Sequence, residues 1–307
     1  MSESPVVVPE ESKPSVVEPA ARMRWTFRTL PWATALSCLT CVCIFAGIHL
    51  TDSAGTNEGI KKWGAASAYG IWHDGQWWRL ITSTLVHVHP VHLFFNVYWL
   101  WILGSVIERA FGFVRWVILF AVCALVSSAA QLAYASVTGI GASGVVYAFF
   151  GLMWLARSRY PSFARVAHNA TVQAFVLWLF VCLFIPFIAN AAHFGGLLFG
   201  AAIGAAIRWK GALRASACAG IAGLMGLSIG ILFWCPWSWM WNGLKAENAY
   251  NAGDYKTAIV YLERASKLGA TSQWVLGNLA LAYEQVGDVP KAQEAARRAA
   301  AAKPLDP

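Results

Sequence analysis

The chain has 307 residues, of which 58% are hydrophobic and only 12% charged, with a formal net charge of +8. That is too little charge for a soluble protein of this length, and too much apolar sequence for a disordered one. The basic surplus is spread over short loops, without a basic patch interleaved with aromatics, so no nucleic-acid partner is expected.

The first elements are a tail and a series of apolar runs. Pro5, Pro9, Pro14 and Pro19 among Ser, Val and Glu predict a disordered cytoplasmic tail over 1–29, and its acidic residues argue against a transit peptide. Seven runs follow, at 31–50, 92–107, 116–137, 143–156, 170–189, 190–207 and 215–235. Arg22, Arg24 and Arg28, Arg109 and Arg115, Arg157, Arg159 and Arg165, and Arg208, Lys210 and Arg214 fall on one set of loops; the alternate loops hold only Lys61, Lys62 and Arg79. The positive-inside rule then places the N-terminus in the cytoplasm and the C-terminal tail on the far side. All seven cysteines lie in apolar runs; the spacing of Cys38, Cys41 and Cys43 suits small buried residues better than a metal site, and no disulfide framework is expected.

Three polar clusters interrupt the apolar sequence. At the entry to the second run, His87, His89 and His92 come within six residues, with Asn96 one helical turn beyond His92. His92 and Asn96 are donors at the outer end of that run. A metal site is the alternative, but Pro90 breaks the helical spacing and no HExxH motif follows. The fourth run is short: residues 144–156 make about 20 Å of helix against a hydrocarbon core of about 30 Å. With Arg157 and Arg159 at the cytoplasmic surface, the other end, Gly141-Ala142-Ser143-Gly144, lies below the outer surface. Irregular backbone at that depth needs a wet pocket or burial in protein. Ser143 there reads either as a helix N-cap or as a nucleophile beside unpaired backbone N–H groups.

The third cluster is His193, in Ala192-His193-Phe194-Gly195-Gly196. A polar ring in an apolar run is expected to face the bundle interior. Ala192, Gly196 and Gly200 recur every four residues and match a stripe of Gly144, Ala148 and Gly151 on the fourth run. Packing the two stripes would bring His193 to Ser143, where a neutral imidazole can take the serine proton; an interhelical hydrogen bond, for instance to Tyr147, is the structural alternative. No Asp or Glu lies within the runs as a third member, and Glu108 falls at the cytoplasmic end of the second.

The seventh run ends in an aromatic segment, 234–241, expected to anchor at the membrane interface. Composition then shifts to Ala-rich, charged helical sequence. Ala246, Gly253-Asp254 and Ala258 recur 34 residues later as Ala280, Gly287-Asp288 and Ala292. That period is the tetratricopeptide one, with Tyr255, Ala265, Tyr283, Ala299 and Pro304 at fitting positions. Only two repeats fit, so the tail is expected to lean on the membrane part, a second copy or a partner, or to be a plain pair of hairpins.

Taken together, these motifs resemble the rhomboid intramembrane serine proteases over roughly residues 30–208: Trp78-Arg79 in the outer loop, the His87-to-Asn96 segment, Glu108-Arg109, Gly141-Ala142-Ser143-Gly144 with Tyr147, and Ala192-His193-Phe194-Gly195-Gly196 with Gly200. The resemblance implies an all-α polytopic membrane bundle with a six-span core over 30–208; the seventh span and anchor over 209–241 and the repeats over 242–307 depart from the minimal six-span pattern. It implies Ser143 as nucleophile, His193 as base, and His92, Asn96 and the Ser143 N–H as the oxyanion site. Tyr147 would stack on His193, His87 support the site from the loop, Gly141, Gly144, Gly196 and Gly200 shape it, and Trp78 and Arg79 anchor the outer loop. Span five would be the lateral gate. No cofactor or metal is implied. Substrates would be single-span membrane proteins cut in a bacterial cytoplasmic membrane, surrounded by lipid, with a protein partner conceivable on the repeats. The rival readings are an inert escort of membrane proteins, a scaffold acting through the repeats, and a transporter, for which the paired intramembrane carboxylates are lacking.

Overall fold

The structure, a computed structural model, describes residues 30–136, 138–186 and 188–302. The tail expected over 1–29, the arginines at 22, 24 and 28, and Pro304 lie outside them. Every element among the described residues is helical. Helix α1 (Trp32–Leu50) leads into an outer loop with three short helices, α2 (Asn57–Lys62), α3 (Ala68–Trp72) and α4 (Arg79–Thr82), the last continued by a 3₁₀ turn at Ser83–Leu85. Then come α5 (Pro90–Phe111), α6 (Phe113–Ala135), α7 (Ser143–Ala156), α8 (Pro161–Val166), α9 (Asn169–Cys182), α10 (Asn190–Arg208) and α11 (Gly211–Phe233). Five of these, α1, α5, α6, α10 and α11, are long and apolar enough to cross a membrane; α7 and α9 are apolar but shorter.

Helix boundaries follow local chemistry. Pro90 and Pro161 open α5 and α8 at a first-turn position where a missing N–H costs nothing. His168 caps α9 by accepting the Thr171 N–H. The fifth run was expected to be helical across 170–189, yet α9 stops at Cys182. Pro186 explains the difference: it removes an N–H and disfavours helical backbone at Ile185 before it.

The core is built around α7. Val145, Ala148, Phe149 and Phe150 are fully buried, as are Leu100 and Leu103 of α5 and Phe199 of α10. Buried polar groups are tied across helices. The Glu108 carboxylate on α5 accepts from the backbone N–H groups of Ala33 and Thr34, both at 2.8 Å, and from the Thr34 hydroxyl at 2.7 Å. It thereby caps N–H groups at the start of α1 that have no partner within the helix, a charge-assisted acceptor at the positive end of a helix. Beside it, Trp116 Nε1 donates to the Gly104 carbonyl at 3.0 Å.

The tail forms α12 (Trp239–Asn251), α13 (Tyr255–Lys267), α14 (Gln273–Gln285) and α15 (Val289–Ala300), two helix pairs. Gly253 (φ +76) and Gly287 (φ +81) make the turns within each pair, a backbone conformation that favours glycine. Asp254 and Asp288 cap the following helices, accepting from Thr257 N–H and Lys291 N–H. Both carboxyls are held below the usual carboxylate range, Asp254 by its hydrogen bonds with Thr257 and Asp288 by that with the Lys291 side chain. The small residues Ala246, Ala258, Ala280 and Ala292 are buried where the helices meet.

Helix α12 crosses the 241/242 position at which the sequence divides the anchor from the repeats. Ser238 caps α12 by accepting the Trp241 N–H, so the first repeat helix begins at Trp239. The aromatic segment is thus divided: Trp234 and Trp237 are exposed, whereas Trp241 is buried against Tyr261. The tail leans on the membrane part. Met240 and Leu244 pack with Ala68, Ile71, Leu80 and Leu132, Trp237 Nε1 donates to the Ala133 carbonyl at 2.9 Å, and the Ser136 and Ser238 hydroxyls are 2.8 Å apart.

Candidate active site

Two small-residue stripes set the geometry of the site. A Cβ built on Gly196 would run into the Gly144 carbonyl oxygen, and one on Gly200 into that of Ala148. Further along, a Cβ on Gly151 would lie 2.6 Å from the Leu197 carbonyl, and one on Gly204 2.5 Å from that of Leu152. Backbone thus touches backbone along the whole seam, which only residues without side chains allow. Gly144 has a second constraint, since its Cβ would fall 2.6 Å from Ser127 Cβ on α6.

At the outer end of this seam, His193 Nε2 lies 2.8 Å from Ser143 Oγ. His193 is almost fully buried. The Tyr147 ring, one turn beyond Ser143, packs against its imidazole with centroids 4.8 Å apart, and the Tyr147 hydroxyl donates to the Phe175 carbonyl at 3.3 Å. His193 Nδ1 is buried and has no hydrogen-bond partner among the described residues. With Nε2 accepting the serine proton, Nδ1 carries the ring hydrogen.

Ser143 is the first residue of α7, and the cap position belongs to Ala142, with no side-chain cap. The N-cap reading of Ser143 is therefore set aside: its hydroxyl is directed to His193 rather than back to its own helix. The first intrahelical bond is Val146 N–H to the Ala142 carbonyl, which leaves the N–H groups of Ser143 and Gly144 outside the helical ladder.

The loop before α7 is held from the opposite side. Gly141 has φ +101, and a Cβ there would collide with the His92 ring, so glycine is required twice over. Its N–H donates to the Ser83 carbonyl at 3.1 Å. The Ala142 N–H donates to His87 Nε2 at 3.3 Å, which sets the His87 tautomer: Nδ1 bears the hydrogen and donates to the Leu85 carbonyl at 3.2 Å. His87 and His92 rings are 5.1 Å apart. Asn96 is buried and its amide donates one hydrogen to the His92 carbonyl at 2.8 Å, leaving the second N–H free of that bond.

The other residues singled out in the sequence are more distant supports. Arg79 donates through Nη1 to the carbonyls of Lys61 and Ala65, at 2.6 and 2.8 Å, which ties the outer loop to itself. Trp78 is about half exposed beside the exposed Trp77. His89 is the exposed residue preceding α5. His49 lies 3.0 Å from the Val88 carbonyl and His73 pairs with Asp74. The Glu108 cap on α1 was not foreseen, because its partners lie some 75 residues earlier and carry no motif.

Residues 74–210 match the Rhomboid domain family, and residues 249–307 match the tetratricopeptide repeat family. Among curated proteins, the chain is 26% identical to rhomboid protease GluP of Bacillus subtilis, over 86% of this chain and 53% of the relative. It is 36% identical to rhomboid protease GlpG of Photorhabdus laumondii, over 40% of this chain and 45% of the relative. It is also 36% identical to rhomboid protease GlpG of Pectobacterium atrosepticum, over 47% of this chain and 52% of the relative. The chain spans about half the length of the curated relatives it matches. The family match begins at residue 74, so α1 and the start of the outer loop fall outside it. The chain carries a rhomboid domain over residues 74–210, followed by a tetratricopeptide-type repeat segment over 249–307.

Proposed function

We propose that this chain is an intramembrane serine endopeptidase that cleaves single-span membrane proteins with a Ser143–His193 dyad. The observation that carries the reading is the 2.8 Å approach of His193 Nε2 to Ser143 Oγ between two helices packed backbone to backbone. An anchor or scaffold has no use for that pair at membrane depth.

The chemistry follows from the groups in place. His193 Nε2 accepts the Ser143 proton as Oγ attacks the substrate carbonyl carbon. Negative charge develops on the carbonyl oxygen, where the Ser143 N–H, the second Asn96 amide hydrogen and the His92 ring converge as donors. The protonated His193 then gives its proton to the departing amine, and water hydrolyses the acyl-serine by the reverse sequence. Among the described residues no carboxylate meets Nδ1. Orientation of the imidazole falls instead to the Tyr147 ring and to burial. Gly141 and His87 hold the loop so that the N–H groups at the start of α7 stay directed to the oxyanion.

In this reading the N-terminus lies in the cytoplasm of a bacterial cell, and the outer loop and repeats lie on the far side, following the loop arginines. A substrate span approaches from the lipid beside α9, the short helix stopped by Pro186. The test is cleavage of a single-span reporter by the purified protein, with Ser143→Ala and His193→Ala alongside. Cleavage lost in both variants supports the dyad. Cleavage retained in either would exclude it, and a wild type that binds reporters without cutting them would favour an escort.

A further inference from the structure

Between the outer loop and the repeats lies a cavity of about 610 Å³, within the range of peptide- and ligand-sized sites. Its loop wall includes Tyr69 and Arg79, and its repeat wall includes Met240 and Glu247 of α12 and Trp274 of α14. Nothing in the proposed dyad chemistry uses it.

Two of the lining residues each have a buried polar atom without a hydrogen-bond partner among the described residues: Glu247 Oε2, an acceptor, and Arg79 Nε, a donor. Leaving buried polar atoms unpaired is costly, and more so for charged groups. The other acidic residues of the lining are already engaged: Glu58 with Lys61 at 2.8 Å, and Asp74 with His73 at 2.8 Å. Glu247 is the uncommitted carboxylate. Its charge reaches Tyr69, whose phenol is raised above its ordinary range, first by burial and then by Glu247. A carboxylate that shares a cavity with a tyrosine and a tryptophan ring suits a basic side chain, which gains an ion pair and aromatic faces together. The unpaired Arg79 N–H asks for an acceptor from the same ligand, and a peptide supplies one at every residue.

The position of the cavity narrows the source of that peptide. Arg79 opens α4, and four residues on, the Ser83 carbonyl holds the Gly141 N–H of the active-site loop. One short segment thus forms a cavity wall and braces the site. The cavity and Ser143 also share one end of the bundle, the end where α1 leads into the outer loop and α11 into the repeats.

We propose that this cavity binds the extramembrane flank of the substrate, a peptide segment whose basic side chain pairs with Glu247 in the cavity that Tyr69 and Trp274 also line, and whose backbone carbonyl accepts from Arg79 Nε. The word substrate rests on the protease reading above; the peptide site does not. The repeats then act as half of a recognition cleft whose other half is the membrane domain.

The experiment uses the full chain carrying Ser143→Ala, in detergent, and fluorescence anisotropy of two labelled soluble peptides. Both have a Gly/Ser backbone, one with a central Arg and one with Gln there. The Arg peptide binds, and either the Gln peptide or Glu247→Gln weakens binding by at least about tenfold, the loss expected for a charge-assisted contact. Glu247→Lys rejects the Arg peptide and accepts one with Glu in its place, which also shows that the variant is folded. Equal binding of all peptides to all variants, or no binding of the Arg peptide, overturns the proposal. Cleavage of a reporter with a neutral flank is read separately on the chain with Ser143 intact. Cleavage without peptide binding removes the cavity proposal alone. Binding without cleavage removes the protease reading and leaves a peptide site.

Discussion

Two glycine-rich helices sit side by side in this chain and meet opposite fates. On α10, Gly196, Gly200 and Gly204 press against the carbonyls of α7 so closely that no side chain fits. On α11, Gly220, Gly223, Gly226 and Gly230 have nothing within 4 Å of where a Cβ would stand, and hardly any of the helix is buried. In sequence both read as apolar helices spotted with small residues. The seam of α10 fixes the distance between His193 and Ser143, whereas the glycine face of α11 has no close neighbour among the described residues. A small-residue stripe is therefore a statement about its partner, and only the matching stripe on α7 distinguishes one helix from the other.

The comparison breaks most readily at Gly200. Gly200→Ala puts a methyl group into the Ala148 carbonyl, so α10 must move away from α7. Overpacking a seam this close costs about 3 kcal/mol, and the Ser143–His193 approach opens with it. The expected result is a clearly lowered thermal midpoint in detergent together with loss of reporter cleavage; a variant with wild-type activity would show that the seam does not set the site.

The next effect is at Glu108, a second buried seam that closes with a charge rather than with glycine. Glu108→Gln keeps the shape but gives up the charged acceptor that takes three donors from α1. A loss of about 1–3 kcal/mol is expected, with cleavage preserved at low temperature, because the cap lies at the opposite end of the bundle from Ser143. Loss of activity without loss of stability would point to a direct role instead.

Smaller effects belong to the exposed caps of the repeats. Asp254→Ala and Asp288→Ala each remove an N-cap and lower the unfolding midpoint of the tail, while the membrane core is spared. Acidification imitates this. Both carboxyls are depressed in the folded state, so the unfolded chain binds more protons, and the stabilisation is complete above the ordinary carboxylate range. It fades as pH falls through and below that range. A pH series of tail unfolding, followed by hydrogen exchange, checks this, and the two Ala variants together show a flatter profile than wild type.

The smallest effect is the counterpart of the first. Gly223→Ala places a methyl group in open space on α11, so cleavage is unchanged and the helix gains about 0.5–1 kcal/mol from lost backbone freedom in the unfolded chain. A large loss at Gly223 would mean that α11 has a tight neighbour after all.

Much of this was legible in the residues. The alternation of apolar runs with Arg-bearing loops marks seven helices, and the 34-residue recurrence marks the two repeat pairs. Ser143 and His193 stand out because polar groups in short or glycine-striped apolar runs need a reason, and the two stripes have matching spacing. What escaped depends on three-dimensional partners that leave no local trace. Glu108 was legible as a charge at a helix end but not as the cap of α1. Trp241 looked like the rest of an interfacial aromatic segment until Ser238 capped a helix beneath it. Glu247 belongs to no motif in the sequence, since the cavity exists only once α12 and α14 stand against the outer loop.

Covalent labelling asks whether Ser143 is a nucleophile activated by His193. The purified chain is treated with a fluorophosphonate, which reacts with activated serines, and the adduct is mapped by peptide mass spectrometry. The account predicts a single adduct on Ser143, abolished by His193→Ala and retained in Gly223→Ala. An adduct elsewhere, or labelling of Ser143 that is indifferent to His193, would contradict it.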